Sequence, residues 1–222
     1  PSGCAARSWW HRRGLGDVGA IGAMLEPDAG PHFVSTAAVA VENTHNFGGG
    51  AVQPFRDLQA LREVAGQRVA LHLDGARLWN AHVATGVPLD TYGRLFDTVS
   101  VCLSKGLGAP AGSVLVGSAE RVAEARVWRK RLGGGMRQAG VLAAAMLYAL
   151  DHHIDRLADD HAAAKDIATV VSAAAPDVVD PADVDTNIVV LDLAGTALTS
   201  GALVTMLKGE GILAGTVGSR YV

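Results

Sequence analysis

The chain has 222 residues, of which 49% are hydrophobic and 18% charged, enough apolar material for one large domain or one domain with a smaller lobe. The formal net charge of −3 gives no electrostatic basis for binding nucleic acid, and no basic run or long apolar stretch points to a membrane. Its two cysteines, Cys4 and Cys102, are too few for a disulfide framework, which favours a reducing, cytoplasmic setting.

The first part of the chain changes character near residue 34. Residues 1–17 show neither a helical nor a strand period, and we expect them to make few packed contacts with the sheet, within a poorly ordered leader of residues 1–20. A β-rich run at residues 34–41 predicts the first strand. Pro54 then opens an amphipathic helix that extends to about residue 65, because proline is tolerated in a first helical turn.

Strands and helices alternate through the middle of the chain. Short apolar runs at residues 68–73 and 98–103 predict buried strands, and a helix that stops at Gly86 lies between them. A further strand at residues 113–116 and a charged helix at residues 120–131 follow. This alternation predicts an α/β fold with a mainly parallel sheet and helices on both faces.

Residues 136–222 are predicted to be helical at first and to mix strands with a helix afterwards. One long helical region covers residues 136–174, and a proline-bounded linker follows it. We therefore divide the chain into a leader, a partial large domain and the start of a small C-terminal α/β lobe. The predicted boundaries are 1–20, 21–174 and 177–222, and the lobe is predicted to have strands at 188–193 and 212–214 and a helix at 203–208.

Charged residues follow two of the predicted strands at the point where each strand ends. Asp74 and Arg77 come after the run at 68–73, and Lys105 comes after the run at 98–103. In open α/β sheets, ligands bind beyond the carboxyl ends of the strands, so these residues form a candidate site. An ordinary ion pair between Asp74 and Lys105 or Arg77 is the alternative, because unpaired buried charge is costly.

The same residue types suit one kind of cofactor chemistry. A lysine in a dry pocket has a lowered proton affinity, which makes it a nucleophile toward an aldehyde. An aspartate beside a pyridine ring keeps the ring nitrogen protonated, so that the ring can accept electrons. Lys105 and Asp74 therefore fit an aldehyde-bearing pyridine cofactor.

Three long segments resemble the threonine aldolases, which belong to the β-eliminating lyase group of fold-type I enzymes that depend on pyridoxal 5′-phosphate (PLP). Three shorter segments fit the same family in the same order, and the resemblance covers roughly residue 21 to the end. The long segments are HLDGARLWNA (72–81), VCLSKGLGAPAGSVLVG (101–117) and WRKRLGGGMRQAGVLAAA (128–145); the shorter ones are PHF (31–33), ENTHN (42–46) and DTNIVV (185–190).

The resemblance implies a role for each candidate residue. Lys105 forms the Schiff base with PLP, Asp74 bonds the ring nitrogen, and Arg77 lies near the phenolic oxygen and the substrate carboxylate. His32 matches a histidine close to the substrate hydroxyl. Two further basic residues, Lys130 and Arg137, match positions near the site that can reach a neighbouring subunit's cofactor.

The resemblance also implies a reaction and an assembly. The reaction is retro-aldol cleavage of threonine or a related β-hydroxy-α-amino acid to glycine and an aldehyde, without a metal. The assembly is a homo-oligomer, a dimer or a tetramer. A β-eliminating amino-acid lyase of the same fold and a non-catalytic remnant of the scaffold are the alternatives. A nucleotide-binding domain ranks last, because neither GxGxxG nor GxxxxGK[ST] follows a strand.

Two features depart from the family pattern. No segment upstream of Ile21 matches the family's phosphate-binding Gly-Thr loop, and the family's carboxylate-binding arginine falls just beyond Val222. We therefore expect the 222 residues to represent a chain truncated at both ends, which binds PLP weakly or not at all and has little aldolase activity.

Several smaller features have competing interpretations. His45 and His72 are interpreted as hydrogen-bonded structural histidines rather than bases. The run Gly133, Gly134 and Gly135 suits either a phosphate cradle or a turn between helices.

Overall fold

The computed structural model describes residues 3–222, so Pro1 and Ser2 of the predicted leader lie outside the described residues. Its centre is a four-stranded sheet that is flanked by helices. The strands are β1 (Ala38–Glu42), β2 (Ala70–Gly75), β3 (Thr98–Cys102) and β4 (Ser113–Gly117).

The helices surround this sheet and continue beyond it. Short 3-10 turns lie at Arg12–Gly14 and Pro181–Asp183. The α-helices are α1 (Val18–Met24), α2 (Phe55–Ala65), α3 (Leu78–Thr85), α4 (Leu89–Gly93), α5 (Ala119–Arg131), α6 (Gly140–His152), α7 (Leu157–Ala174) and α8 (Ser200–Gly209).

The sheet order is β1-β2-β3-β4, and the first three strands are parallel. Helix α2 connects β1 to β2, and α3 and α4 connect β2 to β3, as parallel neighbours require a crossover. Strand β4 is antiparallel to β3 and follows it through a ten-residue loop. The predicted α/β fold with a mainly parallel sheet is confirmed.

Local sequence signals set the ends of the two helices that were predicted best. Pro54 stands at the N-cap of α2, and the chain turns out of this helix at Gly66 (φ 59°). Helix α3 ends at Gly86, which has a left-handed conformation (φ 71°) and donates its amide to the His82 carbonyl. Both boundaries agree with the sequence prediction because proline and glycine act locally.

The main core covers one face of the sheet. Side chains alternate along each strand, so Leu71, Leu73 and Val99 are buried on this face, and α1, α2 and the α3–α4 region pack against them. The ring of Tyr92 is fully buried there and meets Phe55 edge to face, with centroids 5.3 Å apart. On the opposite face of the sheet, the side chains at the carboxyl ends of the strands are polar. This end of the face is therefore accessible.

The predicted single helix over residues 136–174 is wrong. The structure has two helices, α6 and α7, and the chain between them, residues 153–156, is not helical. The break lies where the Nδ1 atom of His153 is 2.6 Å from the Leu107 carbonyl oxygen. The end of α6 therefore coincides with a tertiary contact, and the local sequence has no proline or glycine there.

The C-terminal lobe contains one helix, α8, as predicted, but its predicted strands are not formed. Within residues 177–222, the only β-type pairing consists of two isolated bridges, Asp192–Tyr221 and Val217–Tyr221. The Leu191 amide donates to the Val222 carbonyl at 2.7 Å, and the reverse bond is 3.1 Å. The apolar run at 188–193 finds only this short partner, which is too short for a regular strand.

The leader makes more contacts than we expected. The Gln53 side chain accepts from the Gly16 amide at 2.7 Å and donates to the Gly14 carbonyl at 3.1 Å. The Arg13 guanidinium donates to the Asp185 carboxylate at 2.8 Å. Trp9 packs against the main core, whereas 88% of Trp10 is exposed. Long-range polar contacts, which have no local period, order residues 12–16.

Asp97 connects three elements at the amino-terminal edge of the sheet. Its carboxylate accepts from Leu71 N (2.8 Å) and lies 3.1 Å from Arg62 Nη1 and 2.8 Å from Arg121 Nη2. Burial by itself would raise the pKa of Asp97, but the Leu71 amide and the two guanidinium groups outweigh it and lower the pKa below the ordinary 3.8.

This network predicts an acid-sensitive contribution to stability. Because the folded pKa of Asp97 is depressed, its contribution is complete above about pH 3.8 and is lost as the pH falls through the folded pKa. Asp97→Asn should lower the free energy of unfolding at pH 7 by roughly 1–3 kcal/mol and flatten its decrease below pH 4. Urea unfolding at pH 3 to 7 measures both. Asp90→Asn, at an exposed pair with Arg94, is the control with a smaller effect.

Candidate active site

The structure places Asp74 and Lys105 at the same edge of the sheet. Asp74 is near the carboxyl end of β2, in register with Ser100 of β3, and Lys105 follows the end of β3 by three residues. Both side chains are exposed. Because β2 and β3 are adjacent and parallel, the predicted placement at one carboxyl edge is confirmed.

Local backbone geometry orients the two residues on the β2 side. The Asp74 carboxylate accepts a hydrogen bond from the Ala76 amide at 3.0 Å, which fixes one oxygen and leaves the other without a backbone partner. Arg77 stands at the N-cap of α3 and is half-buried. A short turn thus presents a carboxylate and a guanidinium at the end of the same strand.

The simple ion-pair alternative is not realised in the described part of the chain. No nitrogen of Lys105 or Arg77 lies within 4.0 Å of an Asp74 carboxylate oxygen there, although eight arginine–aspartate pairs form elsewhere. A cation and a carboxylate at one edge without mutual pairing remain available to bind a ligand that carries complementary groups.

Sequence reasoning missed Asn43 and Thr44, which follow β1 at the same edge. Both are buried, and the Asn43 amide donates to the Asp74 carbonyl at 2.9 Å. The Asn43 Oδ1 atom accepts from Gln53 N at 3.1 Å, whereas Asn43 Nδ2 and Thr44 Oγ1 have no hydrogen-bond partner. The sequence did contain a signal for these two site residues, because they are polar and directly follow an apolar strand.

These groups fit a polar aromatic cofactor. The orphaned donors beside Asp74 are costly unless a partner satisfies them. The exposed carboxylate suits a protonated ring nitrogen, and the lysine amine suits an aldehyde carbon. The donor set at this edge is therefore consistent with PLP.

The structure does not bring the other predicted residues into this cluster. His32 lies on an exposed turn that leads into the amino end of β1, and no hydrogen bond or ion pair of its side chain occurs within residues 3–222. Lys130 lies in the last turn of α5, and Arg137 lies between α5 and α6; both are exposed. Their roles remain predictions.

His45 and His72 are hydrogen-bonded, in agreement with the sequence interpretation. The His45 Nδ1 atom accepts from Gly48 N at 3.0 Å, and His72 Nδ1 is 2.8 Å from Thr98 Oγ1. The two rings therefore hold the loop after β1 and the pair β2–β3.

The glycine run after α5 forms a turn between helices. The amides of Gly133 and Gly134 donate to Lys130 O (3.1 Å) and Arg129 O (2.8 Å), so both serve to end α5. Of the two interpretations, the helix-to-helix turn is the one that these hydrogen bonds favour.

A cavity of about 830 Å³ lies beside the site and not at its charged groups. It opens between the loop at residues 46–49, the leader arginines Arg12 and Arg13, and the C-terminal lobe. Neither Asp74 nor Lys105 lines it. The charged edge of the sheet, and not this cavity, is the candidate active site.

Comparison with solved structures identifies the architecture as that of the fold-type I PLP-dependent enzymes. A structure from Listeria monocytogenes EGD-E, assigned as an L-allo-threonine aldolase, has a TM-score of 0.70 and 26% identity, covering 87% of this chain and 55% of that one. The ornithine aminotransferase of Toxoplasma gondii, with PLP at its active site, has a TM-score of 0.64 over 92% of this chain and 48% of its own. Its 20% identity supports the fold alone.

The chain belongs to the beta-eliminating lyase family, whose characteristic sequence it matches over residues 3–194. It is 42% identical over 203 residues to low-specificity L-threonine aldolase 1 of Arabidopsis thaliana, covering 90% of this chain and 57% of that protein. It is 48% identical over 131 residues to the low specificity L-threonine aldolase of Escherichia coli (strain K12), covering 59% and 38%. The chain spans about half the length of the curated relatives it matches.

Proposed function

We propose that this protein is a PLP-dependent lyase that cleaves threonine or related β-hydroxy-α-amino acids to glycine and an aldehyde. The observation that carries the proposal is the placement of Asp74 and Lys105 at one carboxyl edge without an ion pair between them. Membership of the beta-eliminating lyase family and relatives that are named threonine aldolases support it.

Four residues would hold the cofactor. Lys105 would hold it covalently through its amine, and Asp74 would accept a hydrogen bond from the protonated ring nitrogen. Arg77, two residues into the turn after β2, would contact the phenolic oxygen. Arg137 would add a basic contact, in keeping with its exposed position between α5 and α6.

Bound PLP supplies an electron sink for the electrons released when the Cα–Cβ bond breaks. The chain's own residues would orient the cofactor and the substrate and would hold or accept protons. The Ala76 amide fixes the Asp74 carboxylate, whose negative charge would keep the ring nitrogen of the cofactor protonated. Arg77 would bind the substrate carboxylate, and Lys130 would contribute to substrate binding. His32 would accept the proton of the β-hydroxyl group. Orienting the substrate against the cofactor would be the main task of these residues.

The proposal extends to assembly and setting. A homo-oligomer, dimer or tetramer, is supported by large exposed apolar side chains around α5 and α6, among them Leu132 (73% exposed) and Val141 (82%). Two free thiols, Cys4 and Cys102, suit the reducing cytoplasm. The proposed reaction would belong to threonine breakdown and glycine formation. Across residues 3–222, no helix has the length and apolar character needed to cross a membrane.

The test combines cofactor trapping with product analysis. The chain is incubated with PLP and borohydride, and the modified lysine is identified by peptide mapping; glycine and aldehyde released from L-threonine are then measured. We expect the label on Lys105, together with glycine release. Borohydride reduction makes the bond between the cofactor and the lysine irreversible, so labelled protein accumulates over time. The method therefore also detects weak binding.

Other outcomes would contradict the proposal. Ammonia and a 2-oxo acid instead of glycine would identify the β-eliminating lyase alternative. Label spread over surface lysines, with no product, would leave a non-catalytic scaffold.

A further inference from the structure

The loop that carries Lys105 has little intrinsic rigidity. It connects β3 to β4 and contains Gly106 and Gly108, the latter with a left-handed φ of 71°. Glycine loses more conformational freedom on folding than other residues, so an ordered loop of this composition needs contacts from elsewhere. Within the loop, the Gly108 amide donates to the Lys105 carbonyl at 2.8 Å, and Ala109 N donates to the Leu103 carbonyl at 3.0 Å.

The external contact comes from the break between α6 and α7. The His153 Nδ1 atom lies 2.6 Å from the carbonyl oxygen of Leu107. Because a carbonyl oxygen only accepts hydrogen bonds, Nδ1 must carry the proton and donate. This hydrogen bond therefore anchors the loop at Leu107, two residues after Lys105.

Apolar packing against the start of α7 also holds this loop. Leu107 and Leu157 are each 1% exposed and belong to one buried cluster. A Cβ atom added at Gly106 would lie 2.8 Å from Leu157 Cδ2, so the loop backbone passes closely over this leucine. The non-helical residues 153–156 place His153 and Leu157 against successive parts of the loop.

We infer that His153 is a positioning residue for Lys105, an inference that rests on the proposed PLP chemistry. By anchoring the Leu107 carbonyl, its ring N–H holds the loop in the conformation that presents the Lys105 amine at the carboxyl edge. Covalent chemistry at an amine requires a narrow range of positions, so a lysine on an unanchored glycine loop reacts more slowly.

Three variants of the full chain test this inference. His153→Ala removes the donor, whereas His153→Asn keeps a side-chain N–H at a similar distance from the backbone. His152→Ala is the matched control, because this exposed ring packs on Tyr148, with centroids 4.3 Å apart, and makes no hydrogen bond to the loop.

Two measurements are made on each variant. The first is amide hydrogen exchange at Gly108 and Ala109 without cofactor, with Leu71 and Leu73 in the core as internal references. The second is the rate at which PLP and borohydride label Lys105. Loss of one neutral hydrogen bond should raise exchange and slow labelling by roughly tenfold in His153→Ala. His153→Asn should restore both, and His152→Ala should match the parent.

The two measurements separate the inference from the proposed function. Unchanged exchange at Gly108 and Ala109 in His153→Ala, or parental labelling of Lys105 despite faster exchange, would overturn the positioning role. Failure of PLP to label Lys105 in the parent would overturn the proposed function, while the exchange result would still decide whether His153 anchors the loop. Equal loss in His153→Asn would show a requirement for the ring itself and would also overturn the inference.

Discussion

Replacing Lys105 with alanine is expected to abolish covalent PLP attachment and to lower glycine release from threonine by at least about a hundredfold, the low end for loss of a positioned acid–base group. Lys105 is exposed at the carboxyl edge and has no carboxylate partner among the described residues. Its amine is therefore available to the aldehyde carbon, and no neighbouring lysine follows β2 or β3 at this edge. Peptide mapping after borohydride reduction, together with a glycine assay, measures both effects.

Lys130→Ala is the matched control for this experiment. Lys130 lies between Arg129 and Arg131 in the last turn of α5, where its charge also favours the end of the helix. We expect this variant to keep the covalent label, even if its substrate binding weakens. Persistence of the label in Lys105→Ala and its loss in Lys130→Ala would show that the cofactor lysine has been misassigned.

Leu73→Ala is expected to lower the free energy of unfolding by about 2–5 kcal/mol, the range for leucine truncation in a packed core. Leu73 is fully buried in the middle strand pair, with Val99 beside it in register. Its neighbour Asp74 points to the opposite, open face. Asp74→Ala removes only the hydrogen bond from the Ala76 amide, so it should lower the free energy of unfolding by about 0.5–1.5 kcal/mol, but it should weaken PLP labelling of Lys105. Urea unfolding of both variants gives the comparison.

The contrast between adjacent residues makes this prediction sharp. If Asp74→Ala destabilised the fold as much as Leu73→Ala, the carboxylate would be a structural group, and the ligand site would lie elsewhere. If Leu73→Ala had little effect, the register that places Asp74 on the open face would be wrong.

The sequence by itself determined where the strands of the sheet lie, that most of them are parallel, and the position of the charged edge, whereas the strand order and the antiparallel β4 came from the structure. Alternating apolar residues set β2 and β3, Pro54 and Gly86 set helix ends, and Asp74 and Lys105 follow adjacent strands. These signals act within a few residues, through backbone conformation and side-chain periodicity. The resemblance of the segments around these residues to the threonine aldolases then gave the family, which the comparisons confirmed.

Only the tertiary structure decided the features that depend on partners distant in sequence. The helical region predicted as continuous is interrupted at His153, whose ring contacts the Leu107 carbonyl 46 residues away in sequence. Gln53 and Asp185 order the leader across 37 and 172 residues, and the missing Asp74–Lys105 pair depends on how two loops leave the sheet. Such contacts are set by three-dimensional packing, which overrides local propensity and leaves no period in the sequence.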